Sequence, residues 1–143
     1  MLKVLNEALA TEIVCVLRYR RHYFMATGIL SEPVAAEFME HAVQEQAHAD
    51  SIAERIVQLG GAPDFNPQTL VDRSHAEYVE GNSLSDMIKE NLVAERIAIE
   101  SYRAMIHFLG DKDSTTRRML EEILAMEEEH AEDLSSLMQG LIK

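Results

Sequence analysis

Two Glu-x-x-His pairs are the residues of this chain best suited to binding metal. Glu45 precedes His48 by three positions, and Glu127 precedes His130 by the same interval. Side chains at positions i and i+3 of a helix project from one face, so each pair would place a carboxylate beside an imidazole. Such pairs on facing helices supply ligands to dinuclear metal sites in helix bundles. The spacing therefore predicts metal chemistry.

An isolated glutamate precedes each pair at nearly the same distance along the chain. Glu12 lies 33 residues before Glu45, and Glu95 lies 32 residues before Glu127. The chain therefore consists of two similar halves, each with three candidate ligands. A set of carboxylate oxygens and imidazole nitrogens suits iron or manganese, and zinc is also compatible.

Each candidate ligand interrupts a stripe of apolar residues with a helical period. Glu12, for example, lies one heptad after Leu5 and one heptad before Tyr19. An unpaired carboxylate in an apolar core is costly, or loses its charge through a shift in pKa. Two divalent ions would balance the four carboxylates, and neutral imidazoles would complete each coordination sphere. We therefore predict one dinuclear site that uses all six residues.

The composition restricts the classes of partner. The chain has 143 residues, of which 47% are hydrophobic, a size typical of one domain with its own core. Its 25 acidic and 13 basic side chains give a formal net charge of −12. That charge argues against nucleic acid or an anionic membrane as the main partner and favours cations.

Cysteine content and the N-terminal sequence bear on the compartment. The chain has one cysteine, Cys15, so it has no intrachain disulfide and no Cys-x-x-Cys pair. This favours a reducing compartment and predicts a cytoplasmic protein. The first 25 residues alternate charged and apolar side chains, so we expect neither a signal peptide nor a membrane span.

Apolar residues recur at steps of three and four in four segments, which predicts an all-α fold. The predicted helices span about residues 2–27, 32–59, 84–109 and 114–139 of a single domain covering residues 1–143. Ser31 is the expected cap of the second helix, because an acid and a first-turn proline follow it. The third helix is expected to open at Ser83.

The connection between the second and third predicted helices is unusually long. Residues 61–82 contain two prolines and no sustained period, and a helical turn is expected only near residues 75–79. At roughly 3.3 Å per residue, such a segment can run the length of a helix of about 28 residues. The sequence thus predicts a four-helix bundle with one long crossover. Counted from the short turns, all four glutamates lie near mid-bundle.

The order of the candidate ligands resembles that of the ferritin-like superfamily, and most closely that of the bacterioferritins. The resemblance extends from about Leu2 to Leu137 and includes the run from Glu45 to Asp50, with sequence Glu-Gln-Ala-His-Ala-Asp. It implies a ferritin-like bundle with a di-iron ferroxidase centre inside each subunit. The implied assignment places Glu12 and His48 on one iron and Glu95 and His130 on the other, with Glu45 and Glu127 as bridges and Tyr19 nearby.

Several positions depart from the bacterioferritin pattern. Gln46 occupies the position of the methionine that is the haem ligand in that family, which argues against haem. The short fifth helix of the family is not expected here, which leaves open a dimer, a 12-subunit shell or a 24-subunit shell. Ile52 and Asp133 stand where bacterioferritins commonly have aromatic residues.

The resemblance implies a ferroxidase and iron-storage protein that oxidises Fe²⁺ with O₂ or H₂O₂ and forms a homo-oligomer. One alternative is a peroxidase of the rubrerythrin type, which stores no iron. Tyr102 repeats the position of Tyr19 and favours that alternative, whereas Ala98 replaces a glutamate typical of rubrerythrins. The DNA-protecting mini-ferritins draw their ligands from two subunits, unlike this chain. Another alternative is a structural helical protein that binds metal adventitiously.

Other polar residues have weaker interpretations. We expect the remaining histidines at helix ends or in the crossover to be solvated, namely His22, His75 and His107. His41 is interpreted as part of a polar helix face, with an iron-access site as the alternative. Cys15 is expected to be a small core residue. Four arginines are expected at the surface or at a subunit interface, namely Arg18, Arg20, Arg21 and Arg55.

Overall fold

Five helices and no strands occur among residues 1–142, whose backbone the computed structural model describes, with side chains described for residues 1–140. The helices are α1 (Leu2–Met25), α2 (Ser31–Gln58), α3 (Leu70–Arg73), α4 (Leu84–Leu109) and α5 (Ser114–Ile142). The four long helices confirm the predicted all-α bundle. The predicted domain extends to Lys143, which lies outside the described residues.

The helix boundaries lie close to the predicted ones. The helix α4 has the predicted bounds, whereas α1 ends two residues earlier than expected and α5 extends three residues further. Ser83 caps α4, because its hydroxyl accepts a hydrogen bond of 3.1 Å from the backbone N–H of Asp86. The expectation that Ser31 caps α2 is wrong. Ser31 is the first helical residue, and its hydroxyl donates to the carbonyl of Gly28 instead.

The crossover between α2 and α4 is extended, apart from α3. The helical turn expected near residues 75–79 lies at α3 instead, where Leu70 packs against Ala10 and Val14 of α1. Residues 75–79 are straightened because their backbone groups bond to α1 side chains rather than to one another. The N–H of His75 donates to Thr11 Oγ1 at 2.9 Å.

Two polar side chains on α1 hold the later part of the crossover. Arg18 donates to the carbonyl of Glu77 at 3.0 Å and to the side chain of Asn91 at 2.8 Å. His22 Nε2 bonds to the carbonyl of Val79 at 2.8 Å. Both α1 side chains are fully buried, so the expectation that Arg18 lies at the surface and that His22 is solvated is wrong.

The other arginines and histidines that were expected at the surface lie at the protein surface or close to it. Arg20, His75 and His107 are exposed, and Arg21 is partly exposed. Arg55 is partly buried and bridges α2 to the start of α5 through Asp113, at 3.0 Å. Arg55 thus pairs with an acidic residue, as expected, and that residue belongs to the same chain.

The core contains two large apolar clusters, one toward each end of the bundle, and two small ones where the crossover packs against the long helices. The first includes Leu5 and Leu9 of α1, and the second includes Tyr19 of α1. On every long helix a glutamate separates the residues of the two clusters, as Glu12 does on α1. The predicted meeting of the four glutamates at one level of the bundle is therefore observed.

Among residues 1–142, no helix is both long enough and apolar enough to cross a membrane. The apolar residues of the long helices instead lie in stripes, and these stripes form the two large core clusters. Cys15 lies in this interior, as expected, and contacts Ala76 of the crossover and Ala94 of α4. Burial raises the pKa of its thiol to about 12, which favours the uncharged form.

Candidate metal centre

All six predicted ligands meet in the layer between the two apolar clusters. The side chain of His48 is 12% exposed, and the other five residues are at most 1% exposed. Each long helix supplies one glutamate, and α2 and α5 each add a histidine one turn later. The six residues are Glu12, Glu45, His48, Glu95, Glu127 and His130.

The six residues form two overlapping groups. Within each group, one ligand atom from every residue lies within 4.8 Å of the others. One group consists of Glu12, Glu45, His48 and Glu127, and the other consists of Glu45, Glu95, Glu127 and His130. Glu45 and Glu127 belong to both groups. This is the arrangement of two adjacent ion sites that share two carboxylates.

The ring of His130 is oriented with one nitrogen toward the carboxylates. Its Nδ1 lies 2.9 Å from Glu45 Oε1 and 3.3 Å from Glu95 Oε1. Its Nε2 lies 2.6 Å from Gln44 Oε1, an acceptor, so the ring proton resides on Nε2. The Nδ1 lone pair is therefore directed at the carboxylates, as it must be in a metal ligand.

His48 occupies the corresponding place in the other group. Its Nδ1 lies 3.0 Å from Glu127 Oε1 and 3.5 Å from Glu12 Oε2. A cavity of about 290 Å³ lies against His48 between α2 and α5. Gln44 also lines this cavity, together with the apolar side chains of Met119, Ile123 and Met126. The layer of ligands is thus reached from one side past His48.

The charges and hydrogen bonds of the cluster test whether metal fits there. Within residues 1–140, eight buried side-chain nitrogen or oxygen atoms lack a hydrogen-bond partner, and six of them belong to this cluster. They are five glutamate oxygens and Nδ1 of His130. Each unsatisfied buried polar atom costs about 1–3 kcal/mol. Divalent cations would satisfy these atoms, so the donor set fits metal.

The pKa values of the four carboxyl groups divide them into two pairs. Burial, and then the charges of the neighbouring glutamates, raise the pKa of Glu45 and of Glu127 well above the usual value. Burial also acts on Glu12 and Glu95, but hydrogen bonds and nearby histidines outweigh it and lower their pKa. Burial and mutual repulsion therefore favour the protonated form of the two shared carboxyl groups, whereas the outer pair favours the ionised form.

Two buried tyrosines bond to the outer glutamates. Tyr19 donates to Glu95 Oε1 at 2.7 Å, and Tyr102 donates to Glu12 Oε1 at 2.5 Å. Burial and the surrounding carboxylates raise the pKa of both phenols well above the usual value, so both remain donors. Tyr102 was not among the predicted site residues. The sequence indicated Tyr102 only because its position in the second half of the chain matches that of Tyr19 in the first half.

His41, for which an iron-access site was only the alternative interpretation, is a further residue of this layer. Its side chain is 1% exposed, and its ring stacks on that of His130 with 3.9 Å between centroids. Its Nδ1 lies 3.1 Å from the hydroxyl of Tyr19. The interpretation of His41 as part of a polar helix face is therefore wrong. Its position one turn before Glu45, on the same stripe, was the indication.

The chain is similar to known proteins over most of its length. The sequence matches the model of the Ferritin family, described as a ferritin-like domain, over residues 2–142. A bacterioferritin of Mycobacterium avium is 27% identical over 144 residues, covering 100% of this chain and 86% of that protein. A nutrient stress-induced DNA-binding protein of a Synechococcus strain is 30% identical over 132 residues, covering 89% and 74%.

A solved structure shows the same fold. The dodecameric thioferritin of Bacteroides fragilis, a bacterioferritin-related protein, superposes with a TM-score of 0.94 at 32% sequence identity. The superposition covers 99% of this chain and 85% of that chain. These findings confirm the resemblance and the ferritin-like fold predicted from the ligand order. The chain belongs to the family of ferritin-like domains.

Proposed function

We propose that this protein is a ferroxidase that oxidises Fe²⁺ to Fe³⁺ at a dinuclear site within each chain. The observation that carries the proposal is the pair of overlapping ligand groups with Glu45 and Glu127 in common. Two ions held by shared carboxylates lie close enough to deliver two electrons to one oxidant. The bacterioferritin relative supports iron as the substrate.

Each ion has its own terminal ligands in this proposal. Glu12 and His48 bind one Fe²⁺, and Glu95 and His130 bind the other. Glu45 and Glu127 bridge them, because each lies within reach of both. Two divalent ions would stabilise the ionised form of the shared carboxyl groups, which burial and mutual repulsion otherwise disfavour. Carboxylate oxygens are hard ligands and favour the Fe³⁺ product.

The oxidant is proposed to be O₂ or H₂O₂, which reaches the pair through the cavity beside His48. Two Fe²⁺ ions supply two electrons. With H₂O₂ these electrons and two protons break the O–O bond and give two water molecules, whereas with O₂ they give one H₂O₂. Four of the lining residues are apolar, which suits a small neutral oxidant, namely Ala47, Met119, Ile123 and Met126.

The residues around the ligands position them. The hydroxyls of Tyr19 and Tyr102 each fix one oxygen of an outer glutamate, which leaves the other oxygen free to bind metal. Gln44 fixes the ring of His130 through Nε2. No haem is proposed, because Gln46 offers an amide rather than a thioether at the corresponding position and instead bonds to Asp50.

Storage of the oxidised iron requires a closed assembly of subunits. We propose a homo-oligomer, and the dodecameric thioferritin supports it. The net charge of −12 favours accumulation of cations and argues against nucleic acid as a partner. The single buried cysteine is consistent with a reducing, cytoplasmic location.

Stopped-flow oxidation of Fe²⁺ tests the proposal. The amplitude of the fast phase should saturate at two Fe²⁺ per chain, and Glu127→Ala should abolish that phase because it removes a ligand of both ions. Glu129→Ala is the matched control, since it removes an exposed glutamate from the same helix. Fast oxidation by Glu127→Ala would refute the site. Absence of any Fe²⁺-dependent oxidation would favour the structural alternative with adventitious metal.

The paired tyrosines keep a peroxidase of the rubrerythrin type as the second candidate. Tyr19 and Tyr102 contact the outer glutamates in equivalent ways, so the site is nearly two-fold symmetric. A peroxidase would cycle with an external reductant and retain two irons per chain. A storage protein would accumulate many irons per chain. The iron content after prolonged aerobic loading therefore distinguishes the two functions.

A further inference from the structure

A second group of metal-binding side chains lies outside the six predicted ligands. It consists of Glu37 and His41, one turn apart on α2, and Asp133 on α5. His41 Nε2 lies 3.1 Å from Glu37 Oε1 and 3.5 Å from Asp133 Oδ2. One ligand atom from each residue lies within 4.8 Å of the others.

The hydrogen bonds of His41 determine which of its nitrogens carries the proton. Tyr19 uses its one hydroxyl proton in the bond to Glu95, so its oxygen can only accept from His41 Nδ1. The neutral ring therefore has its lone pair on Nε2. That lone pair faces Glu37 and Asp133, whose ionised carboxylates are also acceptors. As ionised carboxylates and a neutral imidazole, the three acceptors need either a proton or a cation between them.

A cation resolves this conflict. Without one, the cluster must hold an extra proton, either on the imidazole or on a carboxyl group. Burial, followed by the hydrogen bond to Asp133 and then by the charge of Asp133, raises the pKa of Glu37 to about 7. One imidazole nitrogen and two carboxylate oxygens are a suitable donor set for Fe²⁺, Mn²⁺ or Zn²⁺.

The cluster also lies between solvent and the dinuclear site. The side chains of Glu37 and Asp133 are 27% and 40% exposed, whereas that of His41 is buried. His41 also has a nitrogen within 4.8 Å of ligand atoms of Glu95 and His130. A hydrated ion can therefore reach the two carboxylates from solvent, and a single imidazole separates it from the inner ligands.

We propose that Glu37, His41 and Asp133 form a third divalent-cation site, which receives Fe²⁺ and passes it to the dinuclear centre. The passage of iron rests on the proposed ferroxidase function, whereas the binding of a cation does not. The third site differs from the cavity beside His48, so the metal and the oxidant would approach the centre by different routes.

Anaerobic crystals soaked in Mn²⁺ and examined by anomalous diffraction test the binding. The wild-type protein should show three peaks per chain, one of them in contact with His41 Nε2. The double variant Glu37→Gln/Asp133→Asn should show two. Both substitutions are isosteric at partly exposed helix positions and leave the six inner ligands unchanged. Circular dichroism of the variant verifies that the helices are retained.

The matched control is Glu40→Gln/Glu132→Gln. It removes two exposed carboxylates from the same two helices and should retain three peaks. A wild-type map without a peak at His41, or a double variant that keeps this peak, would overturn the third site. A peak at His41 beside an empty dinuclear centre would support the third site and refute the proposed ferroxidase site.

Stopped-flow mixing at low Fe²⁺ tests the transfer of iron. The variant Glu37→Gln/Asp133→Asn should oxidise Fe²⁺ several-fold more slowly than wild type, while the amplitude at saturation stays at two per chain. The variant Glu40→Gln/Glu132→Gln should match wild type. Equal rates in all three proteins would overturn the delivery role.

Discussion

At the scale of single residues, the unusual feature is a set of carboxylates buried without enough donors. Glu45 and Glu127 belong to both ligand groups, and both have oxygens without a hydrogen-bond partner. Tyr19 and Tyr102 satisfy one oxygen on each outer glutamate but none on the shared pair. The side chains are thus arranged to receive positive charge in the middle of the layer.

Tyr19→Phe tests the network that positions the ligands. The substitution leaves Nδ1 of His41 and Oε1 of Glu95 without their partner in a buried layer. The free energy of unfolding of the metal-free protein should therefore fall by about 1–3 kcal/mol. Urea denaturation measures this quantity. Tyr23→Phe, at a partly exposed position on the same helix, should change it by less than about 0.5 kcal/mol; an equal loss in both variants would contradict the network.

The sequence predicted the six inner ligands because their spacing repeats and because each interrupts an apolar stripe. The burial of His41 was not predicted, because its position one turn before Glu45 is not repeated in the second half of the chain, where Ile123 precedes Glu127 by one turn. Its burial results from packing against His130 of another helix. Contacts of this kind between helices depend on how each helix is rotated about its own axis. Sequence periodicity does not determine that rotation to within one residue.

At the scale of elements, α1 is the helix on which the crossover is anchored. Thr11, Arg18 and His22 bond to three successive parts of the segment between residues 75 and 79. The sequence predicted the length and the path of the crossover, since a long connection must return along the bundle. It did not predict the burial of Arg18 and His22, because their partners are crossover carbonyls, which any sequence provides, and the side chain of Asn91, which is distant in the sequence.

Arg18→Met tests the importance of this anchor. The variant retains an unbranched apolar side chain but leaves Asn91 Oδ1 and the carbonyl of Glu77 without their donor. We expect the free energy of unfolding to decrease by about 1–3 kcal/mol, measured by urea denaturation of the metal-free protein. Arg20→Met is the control, since Arg20 is exposed on the same helix and its replacement should cost within about 0.5 kcal/mol. Equal stability of the two variants would contradict the role of the anchor.

At the scale of the whole molecule, the bundle combines two apolar clusters with a charged layer between them. The apolar clusters stabilise the fold, whereas the layer opposes folding until cations occupy it. The net charge of −12 also opposes folding, because like charges repel one another in the folded chain, and it attracts cations. Metal content and stability should therefore be coupled.

Thermal unfolding with and without metal tests this coupling. Each site filled at a free metal concentration 100 times its dissociation constant should stabilise the folded chain by about 2.7 kcal/mol. Mn²⁺ should therefore raise the unfolding midpoint of the wild type. Glu45→Gln, which removes a shared ligand, should lose most of this rise. Glu54→Gln, an exposed position on the same helix, should keep it. An equal rise in both variants would show that metal acts elsewhere.

The central claim is that two irons occupy adjacent positions within one chain and share Glu45 and Glu127. The most direct measurement is the low-temperature Mössbauer spectrum of protein loaded with two ⁵⁷Fe²⁺ per chain and then oxidised, recorded together with its electron paramagnetic resonance spectrum. We predict a quadrupole doublet without magnetic splitting and no electron paramagnetic resonance signal. The reason is that the spins of two bridged Fe³⁺ ions couple to a total of zero. Magnetically split Mössbauer lines together with the resonance of isolated Fe³⁺ would contradict a shared site.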